Sequence, residues 1–269
     1  MCLLVVAFRL LCDTPLLIGA NRDEFHNRPA VPMAVLSAEG PRVLGGRDEQ
    51  SGGTWLAVNE WGVFAGLTNQ PREAGRDATR RTRGELPLAL TTSPDAPRAV
   101  EEFLARYRPP DYNGCWLLTG DRDSLFFVDF TGPVEPVAVS LAPGLHVLEN
   151  RPLGALSPKA ERVAASLAGA TDAEAALTAL RRVLGEHTMA EPAGTADPAG
   201  SDGPDAPTQP RSSANCVHLG EYGTRSSCLI RYGADGRERP QIWVADGPPC
   251  TAPFVDVSAL WSEEPASPR

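Results

Sequence analysis

The residue best suited to covalent chemistry is Cys2, which follows Met1 and precedes the apolar run Leu3–Phe8. Cysteine is small enough for the preceding methionine to be trimmed, which would leave a thiol and a free α-amine on one residue. The thiol is the nucleophile, and the amine, whose reference pKa is about 7.7–8.0, can act as its general base near neutral pH. The alternative is a buried strand that begins with Met-Cys, since free cysteine is commonly a small core residue.

Polar side chains follow two apolar runs and could act together with Cys2. The run 16–20 is predicted to pair with the first strand in a hairpin over residues 2–22, which carries Asn21-Arg22-Asp23-Glu24 back toward Cys2. A second hairpin over residues 54–67 ends in Thr68-Asn69-Gln70, where Asn69 is a candidate hydrogen-bond donor. Polar residues at strand exits commonly build sites, although a solvated loop and a turn-forming asparagine are the plainer interpretations.

Composition narrows the class of protein. The chain has 269 residues, 42% of them hydrophobic, which is enough for a sizeable core in one large domain or two small ones. The formal net charge of −9 disfavours nucleic acid and anionic membranes as partners. Lys159 is the single lysine, and the preference for arginine suggests a GC-rich bacterial genome.

The first apolar run lacks a basic start and is too short to span a bilayer, so we expect a cytoplasmic protein without membrane insertion.

The cysteines and histidines show no metal-binding spacing along the chain. There is no C-x-x-C, and Cys216-Val217-His218 is at most a weak zinc signal. Nucleotide-binding and zinc-protease motifs are also missing, so the sequence predicts neither a metal nor a cofactor. In a cytosolic chain the six cysteines are expected to be free thiols rather than a disulfide framework. They are Cys2, Cys12, Cys115, Cys216, Cys228 and Cys250.

The order of predicted elements indicates an α+β fold. Hairpins occupy both ends of the chain, helices are predicted at 95–107, 157–167 and 172–184, and no alternating βαβ pattern is present. The estimate is about eight to ten strands and about four or five helices, in largely antiparallel sheets. Residues 191–213 are rich in proline and poor in large apolar residues, which predicts a disordered insert, and the tail 262–269 is expected to fray.

Seven short motifs in a fixed order make the chain resemble a known family. The resemblance is to the NRDE family, also called the transport-and-Golgi-organisation protein 2 family, and it extends from residue 1 to about residue 245, interrupted by the insert. The motifs are Met1-Cys2, Ala20-Asn21-Arg22-Asp23-Glu24-Phe25, Gly52-Gly53-Thr54-Trp55-Leu56, Leu67-Thr68-Asn69, Arg83-Gly84-Glu85-Leu86, Tyr112-Asn113-Gly114 and Tyr222-Gly223-Thr224-Arg225.

That family is similar in pattern to N-terminal-nucleophile (Ntn) cysteine hydrolases of the bile-salt-hydrolase and penicillin-V-acylase type. The resemblance implies one domain over residues 1–269, with a four-layer αββα sandwich of two antiparallel sheets. The catalytic positions it implies are Cys2, Asp23, Asn69, Asn150 and Arg225. Asn21, Arg22, Trp55 and Thr68 are the expected substrate-binding residues.

The chain departs from the hydrolase pattern at Ala20, where those enzymes carry an arginine. The neighbouring Arg22 is a candidate substitute, but strand alternation places it on the opposite face from Asp23.

Two functions from different classes follow from this resemblance. In the first, the chain is an acyl-transfer enzyme acting on a non-peptide amide or an acyl thioester. The Cys2 thiolate attacks, its α-amine takes the proton, and Asp23 orients that amine. The Asn150 side chain and the Asn69 backbone N–H stabilise the oxyanion, and Arg225 favours the thiolate. In the second, the inherited pocket carries haem or acyl-CoA without turnover, as the missing arginine at position 20 suggests.

Overall fold

The structure is a computed structural model that describes residues 2–72, 75–188 and 213–263. The disordered insert predicted at 191–213 and the frayed tail predicted at 262–269 lie outside the described residues, except for Ser213, Ser262 and Glu263. None of the helices in the described ranges is long and apolar enough to cross a bilayer.

Two antiparallel sheets form the centre of the molecule. The first has the order β10-β1-β2-β12-β13-β14, with β11 pairing to β12, so the N-terminal strand β1 is flanked on both sides. Its strands are β1 (Leu3–Phe8), β2 (Leu16–Phe25), β10 (Gly144–Leu148), β11 (His218–Leu219), β12 (Tyr222–Arg231), β13 (Gln241–Ala245) and β14 (Val255–Asp256).

The second sheet runs in sequence order from β3 to β9 as an antiparallel meander. Its strands are β3 (Ala30–Ser37), β4 (Val43–Asp48), β5 (Leu56–Asn59), β6 (Phe64–Asn69), β7 (Cys115–Gly120), β8 (Leu125–Phe130) and β9 (Val137–Ser140). β3 and β4 were not predicted from the sequence. β3 contains Pro32, which removes a backbone donor and is tolerated because β3 is an edge strand.

Four α-helices in the described residues cover the outer faces of the sheets. α1 (Glu85–Leu90) and α2 (Ala96–Arg106) pack on the second sheet, while α3 (Pro158–Leu167) and α4 (Ala173–Leu184) pack on the first. Asp95, Ser157 and Asp172 cap α2, α3 and α4 by accepting a backbone N–H in the first turn. The predicted αββα sandwich with two antiparallel sheets is confirmed.

The continuous apolar run of β1 follows from this layering. Leu4, Val6 and Phe8 pack between the two sheets, whereas Leu3 and Val5 pack against α3 and α4. A strand buried on both faces has no polar side, so its sequence shows no alternation. The same alternation places Ala20 between the sheets, which decides the direction of the polar residues that follow it on β2.

Candidate functional site

The strand registers bring two of the polar motifs to Cys2. β1 pairs with β2 at Leu3↔Asn21 and with β10 at Leu4↔Leu148. Continuing both registers toward the N-terminus places Cys2 between Arg22 on one side and Asn150 on the other. Residues directly opposite each other share a sheet face, so Cys2, Arg22 and Ala20 all face the space between the sheets.

Asn150 links Cys2 to the second sheet. Its Oδ1 accepts the backbone N–H of Cys2 at 3.0 Å, and its Nδ2 donates to the carbonyl of Asn69 at 2.6 Å. One residue earlier, the hydroxyl of Thr68 donates to the carbonyl of Glu149 at 2.8 Å. These bonds clamp the end of β6 to the residues that follow β10. The Asn150 amide keeps its second N–H for another acceptor.

The backbone N–H of Asn69 points to the same edge as its carbonyl. In β6 the N–H of Leu67 donates to the carbonyl of Trp55, whereas the N–H of Gln70 donates to that of Gly114 on the other side. Backbone groups alternate along an antiparallel strand, so Asn69 presents its N–H and C=O away from β7 and toward Asn150. Two N–H groups, from Asn69 and from Asn150, therefore lie at one edge, as an oxyanion-binding site requires.

Asp23 lies on the opposite face of β2 from Arg22, as alternation predicts, and reaches the layer of α3. Its Oδ1 accepts the hydroxyl proton of Thr224 at 2.6 Å, and its Oδ2 lies 3.9 Å from the Nζ of Lys159. Burial raises the pKa of the Asp23 carboxyl, and the charge of Lys159 opposes that shift. Lys159 is only 1% exposed in the first turn of α3, where the helix dipole disfavours a cation, so its position is consistent with a pairing role.

The thiol of Cys2 is half-buried and has two groups that favour its ionised form. Burial raises the pKa of the Cys2 thiol, as does the negative charge of Asp23, while the backbone N–H of Asp23 and the charge of Arg22 lower it. The charge of Arg22 thus lowers the pKa of the Cys2 thiol, although Arg22 lies on the other face of β2 from the Asp23 carboxylate. Strand alternation places Arg22 on the opposite face of β2 from Asp23, and Cys2 points toward that same face.

Arg22 is held by an aromatic ring and a carboxylate. Its guanidinium lies 4.4 Å from the centre of the Trp55 ring, and its Nη2 lies 3.4 Å from the Oδ2 of Asp48. Trp55 in turn packs directly against Gly46, where any β-carbon would overlap the indole. Burial opposes ionisation of Asp48, but hydrogen bonds from Arg28 and the Ser51 N–H lower its pKa overall. Within the described part of the chain, the Nη1 of Arg22 is buried without a hydrogen-bond partner.

Two glycine motifs interlock beside the site. Gly53 adopts φ +80°, and a β-carbon there would lie 2.4 Å from the carbonyl carbon of Gly84. The N–H of Thr54 donates to the carbonyl of Gly84 at 2.8 Å. This contact places Arg83 near Cys2 and Cys115; burial lowers the pKa of the Arg83 guanidinium, and the two thiols oppose that shift. Arg83 was not among the predicted site residues.

Two predicted site residues are directed elsewhere. The Nη1 of Arg225 donates to the backbone carbonyls of Phe25, His26 and Arg28 at 2.6–3.2 Å, and none of its described contacts is to Cys2. The cause is a β-bulge: β2 and β12 pair at Asp23↔Thr224 and again at Arg22↔Ser226, so Arg225 is the extra residue.

Asn21 faces the helix layer rather than the space beside Cys2. Its Nδ2 donates to the carbonyls of Leu184 and Asn215, both at 2.9 Å. These bonds join β2 to the end of α4 and to the chain before β11, so the contacts of Asn21 are structural rather than those of the expected substrate-binding side chain.

The assembled groups suit acyl transfer at the Cys2 sulfur. A thiol, two convergent N–H donors and a nearby guanidinium provide a nucleophile, an oxyanion site and a positive charge. Lys159, Thr224 and Arg83 were missed because each lies far along the chain from the residue it supports. The one usable signal was that Lys159 is the single lysine in the chain.

Comparison with known sequences gives one family model and several relatives of the same description. The family model described as Transport and Golgi organisation 2 matches residues 1–239. A homologue of Transport and Golgi organization 2 from Mus musculus is 30% identical over 241 residues, covering 82% of this chain and 83% of the relative. Homologues from Bos taurus and Homo sapiens are 32% and 31% identical with the same coverage.

Comparison with solved structures gives Ntn hydrolases. The C2A mutant of the conjugated bile acid hydrolase from Clostridium perfringens aligns over 98% of this chain and 95% of its own, with TM-score 0.54 and 13% identity. Penicillin V acylase from Agrobacterium tumefaciens aligns over 98% and 89%, with TM-score 0.57 and 11% identity. The Caenorhabditis elegans orthologue of N-acylethanolamine-hydrolyzing acid amidase aligns over 88% and 98%, with TM-score 0.52 and 11% identity. At these identities the likeness concerns the fold.

Proposed function

The chain belongs to the Transport and Golgi organisation 2 family and has an Ntn-hydrolase fold, and from this we propose that it is a cysteine acyl-transfer enzyme. The observation that carries the proposal is the Asn150 bridge, which accepts the backbone N–H of Cys2 and donates to the carbonyl of Asn69. This bridge holds Cys2, just before β1, beside the N–H groups of Asn69 and Asn150. Packing alone does not require that combination.

The reaction begins after removal of Met1. The α-amine of Cys2 takes the thiol proton, and the sulfur attacks the acyl carbonyl to form a carbon–sulfur bond while the carbonyl π electrons move to oxygen. The second Nδ2–H of Asn150 and the N–H of Asn69 stabilise that oxyanion. When the intermediate collapses, the proton passes from the α-ammonium to the leaving amine or thiol, and the acyl group stays on Cys2. Water or another acceptor then gives a proton to the α-amine and attacks the acyl carbonyl, and the Cys2 sulfur leaves and regains the proton.

The substrate class is an acyl group on a non-peptide amide or on a thioester. The neighbouring proteins of known structure are named for action on a bile acid conjugate, penicillin V and N-acylethanolamines, all of which are amides. In this chain Arg22 and Arg83 lie near Cys2, and the Nη1 of Arg22 is buried without a partner among the described residues. An anionic group close to the acyl carbon, such as a carboxylate or phosphate, would pair with these guanidiniums.

A carrier of haem or acyl-CoA is the second candidate. The observation favouring it is Ala20, which lies between the two sheets at the position where the hydrolases carry an arginine. In this case the two arginines would hold the anionic groups of the cargo and Cys2 would form no covalent bond.

The first experiment examines processing. The amine can act as base only if Met1 is removed, so intact-mass spectrometry of protein from its native host should show a chain that begins at Cys2. A dominant species that retains Met1 would exclude the amine-as-base mechanism.

The second experiment separates enzyme from carrier. The protein is incubated with a panel of acyl-CoAs and N-acyl amides, and mass spectrometry follows acyl adducts on Cys2 and released acid. The enzyme predicts an adduct and product that disappear in Cys2→Ala, a loss of several orders of magnitude in rate. The exposed Cys12→Ala is the matched control and should leave both unchanged. Tight binding without adduct or product, equal in Cys2→Ala, supports the carrier.

A further inference from the structure

Four potential metal ligands from separate parts of the chain meet at one place. They are His187, Cys216, His218 and Cys250, and their ligand atoms all lie within 4.8 Å of one another. His187 follows α4, Cys216 lies just before β11, His218 is the first residue of β11, and Cys250 lies between β13 and β14. Cys216 is buried and the other three are exposed, so the cluster is anchored on one side and open to solvent on the other.

The separations match those of a tetrahedral zinc site. The sulfur atoms of Cys216 and Cys250 are 3.7 Å apart, and the Nε2 of His218 lies 3.5 Å from the first and 3.3 Å from the second. Zn–S bonds of about 2.3 Å and Zn–N bonds of about 2.0–2.1 Å set tetrahedral ligands about 3.8 Å apart for two sulfurs and about 3.6 Å for sulfur and nitrogen. The ring of His187 lies 4.8 Å from that of His218, centre to centre, and completes the set.

Backbone hydrogen bonds hold the ligand segments together. The N–H of Cys216 donates to the carbonyl of Glu186 at 2.9 Å, which ties it beside His187. The N–H groups of Thr251 and Ala252 donate to the carbonyl of Pro248 in the turn that presents Cys250. Two thiolates and two imidazoles form a soft donor set that suits zinc and disfavours magnesium or calcium, which require oxygen ligands.

We propose that His187, Cys216, His218 and Cys250 bind one structural zinc ion as a Cys2His2 site. The ion fastens the end of α4, the segment before β12 and the β13–β14 loop to one another. This segment also supports the candidate active site, because the Thr224 hydroxyl accepts the N–H of Val217 at 2.9 Å and donates to the Oδ1 of Asp23 at 2.6 Å. The zinc site thus holds in place the residue that orients Asp23.

Metal analysis and cobalt substitution test the proposal on the full chain. Protein purified under reducing conditions should contain about one zinc per chain. After chelation, added Co²⁺ should give thiolate-to-cobalt charge-transfer absorption together with the intense visible bands of tetrahedral cobalt. Cys216→Ser, Cys250→Ser and His218→Gln should each weaken binding at least about tenfold, a loss that even outer partners of metal ligands can cause. Cys12→Ser and His146→Gln, which change residues outside the cluster, should bind like the parent protein.

Thiol alkylation tests the proposal on the parent protein, so the result does not depend on whether the variants fold. Zinc should protect Cys216 and Cys250 from iodoacetamide in peptide mapping, whereas Cys12 should react at the same rate with and without the metal. Three results would overturn the proposal: cobalt spectra without thiolate bands, equal alkylation with and without zinc, or a Cys216–Cys250 disulfide that forms in place of metal binding, recognised by the loss of two hydrogens in mass.

Discussion

The Nζ of Lys159 and the Oδ2 of Asp23 lie 3.9 Å apart, both essentially inaccessible to solvent, beneath the strand end that leads to Cys2. The separation is too long for a hydrogen bond, so the pair is held by charge alone. A buried carboxylate is costly without a compensating cation, and Lys159 supplies that cation from the first turn of α3.

Lys159→Met should therefore lower the free energy of unfolding by about 3–5 kcal/mol at neutral pH, because it removes a buried positive charge that lies 3.9 Å from the Asp23 carboxylate. The double variant Asp23→Asn/Lys159→Met should recover much of that loss, since both members become neutral. Urea unfolding measures all of these, with the exposed Glu161→Gln on the same helix as the control. Additive losses in the double variant would contradict the pairing.

The pH dependence of Lys159→Met follows from the same pair. Burial raises the folded-state pKa of Asp23, and removal of the cation raises that pKa further. A raised acid pKa leaves stability intact below the unfolded-state pKa and removes it as pH rises toward the folded-state pKa. The penalty of Lys159→Met should thus be small in acid and grow with pH.

Asn150 should be essential for chemistry. Asn150→Ala removes a donor to the oxyanion and the bridge from Cys2 to Asn69, so single-turnover acylation should slow about 10²–10³-fold. Asn150→Asp keeps an acceptor for the Cys2 N–H but loses both N–H donors, and should be equally slow. The control is the exposed Asn27→Ala. A normal rate in Asn150→Asp would show that the amide donors are not used.

Arg22 should contribute to the pH at which Cys2 becomes reactive. Its charge lowers the pKa of the Cys2 thiol, so Arg22→Met should raise that pKa and shift the rising limb of alkylation toward higher pH. Arg22→Lys should fall between Arg22→Met and the parent protein. Iodoacetamide labelling of Cys2 across a pH series measures the midpoint, with the exposed Arg9→Met as the control. An unchanged midpoint would remove Arg22 from the site.

Arg225 should act on stability rather than on the thiol. Its guanidinium donates to three carbonyls at the β2–β3 connection, and Arg225→Met should cost about 1–3 kcal/mol of unfolding free energy. The alkylation midpoint of Cys2 should stay at the parent value. A shift as large as that of Arg22→Met would restore the role that the resemblance implied for Arg225.

Gly53 and Gly52 offer a matched test of the glycine contact. Both have positive φ, but only a β-carbon at Gly53 would overlap another part of the chain, the backbone of Gly84. Gly52→Ala should cost about 1–2 kcal/mol, the strain of a left-handed alanine. Gly53→Ala should cost clearly more, because two backbone segments must separate. Equal losses in urea unfolding would mean that the contact with Gly84 contributes nothing.

Local pattern was sufficient for much of the fold and part of the site. The apolar runs around the Asp13-Thr14-Pro15 turn specify the β1–β2 hairpin, and its register alone puts Arg22 opposite Cys2. Capping residues and apolar periodicity located α2, α3 and α4 closely. These features are decided by neighbours in sequence, whose backbone geometry and hydrogen bonds are short-range.

Contacts between distant segments were decided by the tertiary structure. Lys159 meets Asp23 only because α3 packs on the first sheet, and Arg225 turns away only because a bulge interrupts the β2–β12 pairing. The four ligands of the proposed zinc site come from three segments that are far apart along the chain, so their sequence separations form no recognisable zinc-binding motif. The partners of these side chains depend on which sheets and helices pack together. That packing is driven by burial of apolar surface from distant segments, and the hydrophobic periodicity of a single segment does not predict it.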